Sequence, residues 1–244
     1  MNTALTEQAA SLAIESAARA LHLPTVRQQA DSMAEAALRD RLSHLAFLAE
    51  LLTAEIEDRN ARRRERRIRK ARFPRLKSLA DFDLSAAPTV DPALLNVIER
   101  GAWIDAAEPV ELLGDSSTDK SHLLIGLGIA ACQRGLRVRC SNAATLVNEL
   151  AEAADERQFS RLVARYGWLD LLCLDELNYV HLDPRGAELL FQILTEREER
   201  ASVAVSSNAP FSEWGQTFED PCLAAAVVDR LTFRAHIIET GSES

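Results

Sequence analysis

The sequence predicts an α/β protein built on a five-stranded parallel sheet and preceded by a small all-helical N-terminal module. From Pro109 onward, short apolar runs alternate with longer helical segments. Strands separated by helices pair in parallel through right-handed crossovers. Up to about residue 80, apolar residues recur at helical spacing instead. A chain of 244 residues, 47% of them hydrophobic, can bury a core of this kind.

The N-terminal module is predicted to contain three helices. Thr3 to Leu21 is rich in alanine at helical spacing, and Pro24 is placed to open a second helix. The third helix is indicated by four apolar residues at i, i+3, i+7 and i+11, which are Leu45, Leu48, Leu52 and Ile56. Prolines and aspartates between residues 74 and 92 then break the helical pattern. We therefore predict a helical domain over residues 1–80 and a second domain over residues 81–244.

The most basic segment of the chain lies at residues 59–77. It holds eleven arginines and lysines with Glu65 as its only acid, although the whole chain carries a net charge of −9. Like charges so concentrated repel one another unless a polyanion neutralises them. We therefore predict contacts with the phosphates of double-stranded DNA, with a solvated helix face as the alternative. The residues assigned to DNA are Arg62, Arg63, Arg64, Arg66 and Arg67.

Five strands and three connecting helices are predicted in the second domain. The strands are 110–113, 136–140, 168–174, 202–205 and 235–238, and the helices are 120–133, 143–153 and 186–197. The third strand is apolar without alternation, as in Leu171 to Leu174. That pattern is typical of a strand covered on both faces.

A candidate phosphate-binding loop follows the first strand. Gly114, Lys120 and Ser121 fit the spacing G-x-x-x-x-G-K-[ST], in which backbone N–H groups and the lysine bind phosphates. An ordinary turn that caps a helix is the alternative. Asp119 stands where the pattern has glycine, and a carboxylate ~4 Å from a phosphate charge costs about 4 kcal/mol at an effective dielectric near 20. The candidate nucleotide-binding residues are Gly114, Asp115, Ser116, Ser117, Thr118, Asp119, Lys120, Ser121 and His122.

An acidic pair ends the third predicted strand. Asp175 and Glu176 follow the apolar run 55 residues after Lys120. An Asp at the carboxyl end of a parallel strand can hold Mg²⁺, and the next Glu can polarise an attacking water. The alternative is an Asp-Glu pair that merely starts a helix.

Seven segments together resemble the IstB-like insertion-sequence ATP-binding proteins, and the resemblance covers nearly the whole chain. They are residues 73–84, 114–124, 147–150, 171–179, 185–198, 206–214 and 229–233. The family implies an AAA+ P-loop core that binds ATP and Mg²⁺, assembles on DNA and works with an insertion-sequence transposase. It is related to the bacterial helicase loader DnaC.

The resemblance also implies roles for single residues. Lys120 is similar to the family's phosphate-binding lysine, while Ser121 and Asp175 are similar to its Mg²⁺ ligands. Glu176 matches the catalytic base, and Asn208 matches the polar residue that senses the γ-phosphate. Arg230 resembles an arginine finger that acts on a neighbouring subunit, which implies a homo-oligomer. Ser117, Asp119 and Asn178 stand where the family has glycine.

The sequence therefore predicts an ATP-binding, DNA-associated helper of transposition. Two alternatives stay open, namely a DNA-binding or assembly module that has lost ATP use and a helicase loader like DnaC. Apolar stretches such as Leu123 to Cys132 are shorter than the ~20 residues that a membrane-spanning helix needs. We expect no membrane association and a cytoplasmic location.

Overall fold

A computed structural model describes residues 6–115, 118–178 and 182–241. The chain forms two compact units, residues 1–65 and residues 66–244. The first contains α1 (Glu7–Ala20), α2 (Pro24–Arg39) and most of α3 (His44–Ala71), whose last turns belong to the second. The domain boundary after residue 80 stays a prediction.

The first unit has the three predicted helices but a smaller core than their apolar content suggests. Its core cluster consists of Ala18, Val26, Ala30 and Leu51, and Ala37 is buried as well. The four residues whose spacing predicted α3 are all exposed, and these are Leu45, Leu48, Leu52 and Ile56. Their period is that of a helix, but within the first unit the buried positions of α3 are Leu51 and Glu55.

A carboxylate from α3 caps the N-terminus of α2. The backbone N–H groups of Thr25 and Val26 donate to Glu55 Oε2 at 2.8 and 3.2 Å. Leu23, the residue before the helix, supplies no side-chain cap, so Glu55 takes the place of one. Burial alone would raise the pKa of Glu55, but these N–H groups and Arg59 outweigh it and hold the pKa below its usual value.

The second unit carries a five-stranded parallel sheet in the order β2-β3-β4-β1-β5. The strands are β1 (Val110–Leu113), β2 (Val138–Asn142), β3 (Leu171–Asp175), β4 (Ser202–Ser207) and β5 (His236–Glu239). The helices are α4 (Pro92–Glu99), α5 (Ala102–Asp105), α6 (Lys120–Arg134), α7 (Ala143–Asp155), α8 (Phe159–Gly167), α9 (Pro184–Arg197), α10 (Trp214–Phe218) and α11 (Pro221–Thr232). The predicted fold class is confirmed.

Three of the predicted strands begin later than expected, and for β5 the difference is a single residue. The sequence pattern started the third strand at Trp168, but α8 fills residues 159–167 and β3 begins only at Leu171. Trp168 lies instead in the connection and is exposed. Likewise β2 begins at Val138 and continues to Asn142, two residues beyond the predicted end.

Helices cover both faces of the sheet. Along β3, Leu171 and Cys173 face a layer containing α6, while Leu172 and Leu174 face a layer containing α7 and α9. A strand between two apolar layers has no polar face, which explains why its sequence is a continuous apolar run.

The segment after α3 crosses α6 at two glycines. A Cβ added to Gly126 would lie 2.6 Å from Leu79 Cδ2, and one added to Gly128 would lie 2.6 Å from Phe73 Cε1. Only glycine leaves room for this approach. The contact brings the start of the second unit, including Lys77, beside the beginning of α6.

Candidate functional site

A cavity of about 470 Å³ opens at the carboxyl edge of the sheet. Parallel α/β sheets bind ligands at this edge, where strand ends and helix N-termini meet. Most of the predicted site residues line it, namely Thr118, Asp119, Lys120, Ser121, His122, Asp175, Glu176 and Asn208. The sequence therefore predicted both the position of the cavity and most of its polar lining.

The loop between β1 and α6 begins at a position that requires glycine. A Cβ on Gly114 would lie 2.3 Å from Thr240 Oγ1 and 2.9 Å from the Gly241 carbonyl oxygen. The next residue, Asp115, donates its N–H to Gly241 at 3.2 Å. The residues that follow β5 thus pack against the start of this loop and accept a hydrogen bond from its backbone. Ser116 and Ser117 lie outside the described residues.

Asp119 occupies a glycine-like backbone position. Its φ of 56° and ψ of 17° place it in the left-handed region, where aspartate is tolerated better than most residues but less well than glycine. Its carboxylate lies 3.7 Å from Lys77 Nζ and is half exposed. Solvent and Lys77 therefore offset part of the negative charge that this residue adds to the loop.

Lys120 is the most enclosed cation of the site, with 8% of its surface exposed. Its Nζ donates to the Asp115 carbonyl oxygen at 2.5 Å and to Thr118 Oγ1 at 3.2 Å. Burial lowers the pKa of Lys120, while the carboxylates of Asp115 and Asp175 act in the opposite direction. A phosphate oxygen could replace these neutral acceptors and pair with the ammonium more strongly.

Three oxygen-bearing side chains meet beside the lysine. Ser121 Oγ donates to Asp175 Oδ1 at 2.9 Å, and Ser206 Oγ donates to the same oxygen. Carboxylate and hydroxyl oxygens suit Mg²⁺, which proteins commonly hold through one or two carboxylates together with substrate phosphates. These oxygen atoms are therefore suitable ligands for the Mg²⁺ ion that the sequence analysis assigned to Ser121 and Asp175.

Glu176 is oriented by two residues that the sequence analysis missed. Asn142 Nδ2 donates to Glu176 Oε2 at 2.8 Å, and Glu176 N donates to Ser206 Oγ at 3.1 Å. Asn142 lies opposite Asp175 in the register of β2 and β3. Both missed residues are polar and stand near the carboxyl ends of their strands, which is the signal that could have identified them.

The other predicted residues of the cavity differ in their surroundings. Asn208 follows the end of β4 and lines the cavity. The His122 ring faces the segment after α3, with Nε2 2.9 Å from the Ser78 carbonyl oxygen and an edge contact to Phe82. Asn178 bridges Ser207 and Thr217, so this side chain has a packing role. Two further cations at the cavity, Arg75 and Lys77, were not predicted as site residues.

Arg230 does not line this cavity. Its Nε donates to Glu198 Oε2 at 2.9 Å, and its guanidinium lies 4.2 Å from the centroid of the Phe191 ring. Within the part of the chain that the structure describes, Arg230 is thus held by its own subunit. A role on a neighbouring subunit requires the release of this pair.

The predicted DNA-binding arginines are not equivalent. Arg62 donates to Asp58 and to Thr25 Oγ1, and Arg59 donates to Glu55, so these two side chains stabilise the first unit. Arg63, Arg64 and Arg66 are exposed, and no carboxylate of the described residues pairs with them. Among the five predicted DNA-binding arginines, these three combine exposure with the absence of a carboxylate partner in the described residues. Arg67, in the second unit, is half-buried.

Over residues 6–115, 118–178 and 182–241, no helix combines the length and apolar character needed to cross a membrane.

Known proteins resemble the chain in both sequence and fold. Residues 16–244 match the IstB-like ATP binding protein family. The insertion sequence IS5376 putative ATP-binding protein of Geobacillus stearothermophilus is 34% identical over 92% of this chain and 89% of its own length. The insertion sequence IS21 putative ATP-binding protein of Pseudomonas aeruginosa is 33% identical over 88% of this chain and 81% of its own length.

Two solved structures share the fold of part of this chain. The DnaC helicase loader has a TM-score of 0.51 and 13% identity over 61% of this chain and 86% of its own. The AMPPCP-bound DnaA of Aquifex aeolicus has a TM-score of 0.57 and 20% identity over 68% of this chain and 50% of its own. The fold class expected from the sequence is shared with both structures. With its sequence matched from residue 16 to residue 244, the chain belongs to the IstB-like ATP binding protein family.

Proposed function

We propose that this protein is a cytoplasmic, ATP-binding helper of insertion-sequence transposition that assembles on DNA and recruits or stimulates a transposase. The observation that carries the proposal is the convergence of Lys120, Ser121, Asp175 and Glu176 at one edge of the sheet. Nucleotide hydrolysis requires a cation for the phosphates, oxygen ligands for Mg²⁺ and a carboxylate that orients water. The buried ammonium, the Ser121 and Asp175 oxygens and the oriented Glu176 carboxylate can supply them.

Each of the four residues has a distinct task in this proposal. Lys120 would exchange its loop carbonyl for the outer phosphates, and Ser121 and Asp175 would hold Mg²⁺ between them. Bound Mg²⁺ would neutralise charge on the phosphates. Glu176, held by Asn142, would orient a water for attack on the γ-phosphate.

A second candidate is a DNA-binding module of the same family that no longer uses ATP. The backbone and charge of Asp119 favour this alternative, because both weaken a loop that must wrap around phosphates. The pairing of Asp119 with Lys77 favours the first candidate, since the ammonium offsets part of the negative charge beside the phosphate-binding loop. We place ATP binding first, with a reduced affinity.

Contacts with double-stranded DNA are assigned to Arg63, Arg64 and Arg66, the members of the predicted set that are exposed and have no carboxylate partner among the described residues. Phosphate contacts of this kind give affinity without base preference and a strong dependence on salt. Self-association through Arg230 is part of the same proposal. It requires the Arg230 side chain to leave Glu198 and reach the phosphates of ATP bound to a neighbouring subunit.

The experiment is capture of an insertion-sequence transposase on biotinylated duplex DNA loaded with the protein. Three forms are compared with and without MgATP, namely the unmodified chain, Glu176→Gln and the triple variant Arg63→Ala, Arg64→Ala and Arg66→Ala. We expect MgATP to increase transposase capture, Glu176→Gln to retain it for longer, and the triple variant to lose the DNA.

Charge-matched replacement of Arg27, Arg39 and Arg161, which are exposed outside the basic segment, serves as the control and should keep DNA binding. Capture that is equal with and without MgATP supports the module that no longer uses ATP. Capture of a replicative helicase in place of the transposase supports the loader. DNA binding by the triple variant with an unchanged salt dependence contradicts the assignment of the arginines.

A further inference from the structure

A second cavity, of about 440 Å³, lies in the second unit away from the nucleotide site. Its walls are the last turns of α3, the start of β2 and the end of α8 together with the residues that follow it. Seven of its eleven lining residues are cationic, and these are Arg67, Arg69, Lys70, Arg72, Arg137, Arg139 and Arg165. We call this surface the cationic groove.

The positive charge of the groove is only partly neutralised. Glu149 pairs with Arg139 and Arg165, and Asp170 pairs with Arg137. The remaining four cations come from the end of α3, and within the described ranges no carboxylate lies at ion-pair distance from them; they are Arg67, Arg69, Lys70 and Arg72. A surface with four uncompensated cations attracts a ligand that carries several negative charges.

The groove also carries an exposed aromatic ring. Trp168 is 71% exposed, whereas Trp103 and Trp214, the other tryptophans of the chain, are 4% and 0% exposed. The Arg137 guanidinium lies 5.6 Å from the centroid of the Trp168 ring, and Arg137 Nη2 lies 2.6 Å from Asp170 Oδ1. The ring is therefore positioned by a fixed cation while most of its surface remains open to solvent.

Phosphate-binding cations beside an open aromatic face match the chemistry of single-stranded nucleic acid. The cations follow the backbone, and the ring stacks on a base that is not paired. A duplex does not expose the faces of its internal bases, so it could use the cations but not the ring. An acidic polymer without bases has the same limitation.

We propose that the cationic groove binds single-stranded DNA, with phosphates on the end of α3 and one unpaired base stacked on Trp168. This site goes beyond the duplex contacts assigned to Arg63, Arg64 and Arg66, and it needs no nucleotide in the other cavity. Opened or sharply deformed DNA would present such a strand.

Tryptophan fluorescence tests the proposal directly, because Trp168 is the only exposed tryptophan. The full chain is titrated with a 15-nucleotide oligothymidine, with a 15-base-pair duplex and with inorganic polyphosphate, using excitation at the red edge of the tryptophan band. We expect the oligothymidine to quench the long-wavelength emission and to protect it from iodide. Duplex and polyphosphate should bind without this quenching.

Variants separate the ring from the charges. Trp168→Ala should weaken oligothymidine binding about tenfold or more, whereas Trp168→Phe should retain most of the affinity. Replacing Arg69 and Arg72 with alanine should lower the slope of log Kd against log salt by roughly 1.4, the value for two phosphate contacts on a single strand. The pair Arg27→Ala and Arg39→Ala is the charge-matched control and should leave the slope unchanged.

The proposal is overturned if oligothymidine leaves Trp168 emission unchanged, if Trp168→Ala binds as tightly as the unmodified chain, or if duplex quenches equally. None of these measurements includes ATP or a transposase. Their failure is therefore distinguishable from failure of the proposed function.

Discussion

At the level of single residues, the site shows which features a sequence can reveal. Lys120, Ser121, Asp175 and Glu176 were predicted because their spacing and their place after apolar runs identify them. Ser206 was missed because its contact to Asp175 depends on the order of strands in the sheet. Lys77 was assigned to a basic segment, and its approach to Asp119 depends on how that segment crosses α6.

Glu111 illustrates a residue whose environment no sequence pattern indicated. It is fully buried on β1, between Val110 and Leu112, and neither carboxylate oxygen finds a hydrogen-bond partner among the described residues. Burial raises the pKa of Glu111 well above the usual value of 4.5. The folded protein therefore holds a proton that the unfolded chain releases, and this lowers stability as pH rises above that value.

We predict that Glu111→Leu stabilises the second unit by roughly 1–3 kcal/mol at neutral pH, because an unpaired buried polar group is replaced by an apolar one of similar size. Urea unfolding followed by tryptophan fluorescence reports this unit, since all three tryptophans belong to it. The advantage of the variant should be larger at pH 8 than at pH 5. An equal or lower midpoint for Glu111→Leu at pH 8 would contradict this account.

At the level of elements, the sequence predicted the five strands of the second unit and the helices α6, α7 and α9, but it missed α4, α5, α8, α10 and α11. The largest error in a strand boundary is the start of β3. Leu169 and Trp168 are also apolar and stand just before Asp170, and their hydrophobicity led the prediction to start the strand too early. The first residue of β3 is determined instead by where α8 ends. The exposed apolar residues of α3 illustrate a different limit of the sequence. Helical spacing identifies a helix but does not show which of its faces is buried.

The cap of α2 by Glu55 gives a prediction for the first unit. Glu55→Gln should destabilise it by about 1–2 kcal/mol, because a charged acceptor of two backbone N–H groups becomes neutral. Hydrogen exchange of the α2 amides measures the effect locally. Glu57→Gln, an exposed change on the same helix, is the matched control.

The same contact has a pH dependence of known sign. Since the pKa of Glu55 is lowered in the folded protein, its contribution is complete above its usual value of 4.5 and is lost as pH falls below that value. Exchange of the α2 amides, corrected for intrinsic rates, should therefore accelerate on acidification in the unmodified chain more than in Glu55→Gln. Identical acid responses would show that the carboxylate does not stabilise α2.

At the level of the whole molecule, basic residues are concentrated in one segment of the chain that crosses the boundary between the two compact units. The protein has a net charge of −9, yet its basic segment runs across the end of the first unit and into the second. In the second unit it supplies four of the seven cations of the cationic groove, and its last residues reach the nucleotide cavity through Arg75 and Lys77. The same segment thus contributes to both proposed sites of the second unit.

The central claim is that the loop between β1 and α6 is a nucleotide site that Asp119 weakens without abolishing. From the sequence alone, replacing both Ser117 and Asp119 with glycine is expected to strengthen MgATP binding by orders of magnitude, with most of the gain at Asp119. The exposure of the Asp119 carboxylate and its approach to Lys77 reduce that expectation for Asp119. A gain of roughly ten- to a hundredfold remains, from the left-handed backbone and the residual charge.

Isothermal titration calorimetry with MgATP on four chains tests this claim most directly. Asp119→Gly should bind about ten- to a hundredfold more tightly than the unmodified chain. Asp119→Asn, which removes the charge and keeps the bulk, should fall between them. Lys120→Ala should abolish the heat of binding. If Asp119→Gly and Lys120→Ala both leave the isotherm of the unmodified chain unchanged, the loop does not bind the phosphates of ATP and the account is wrong.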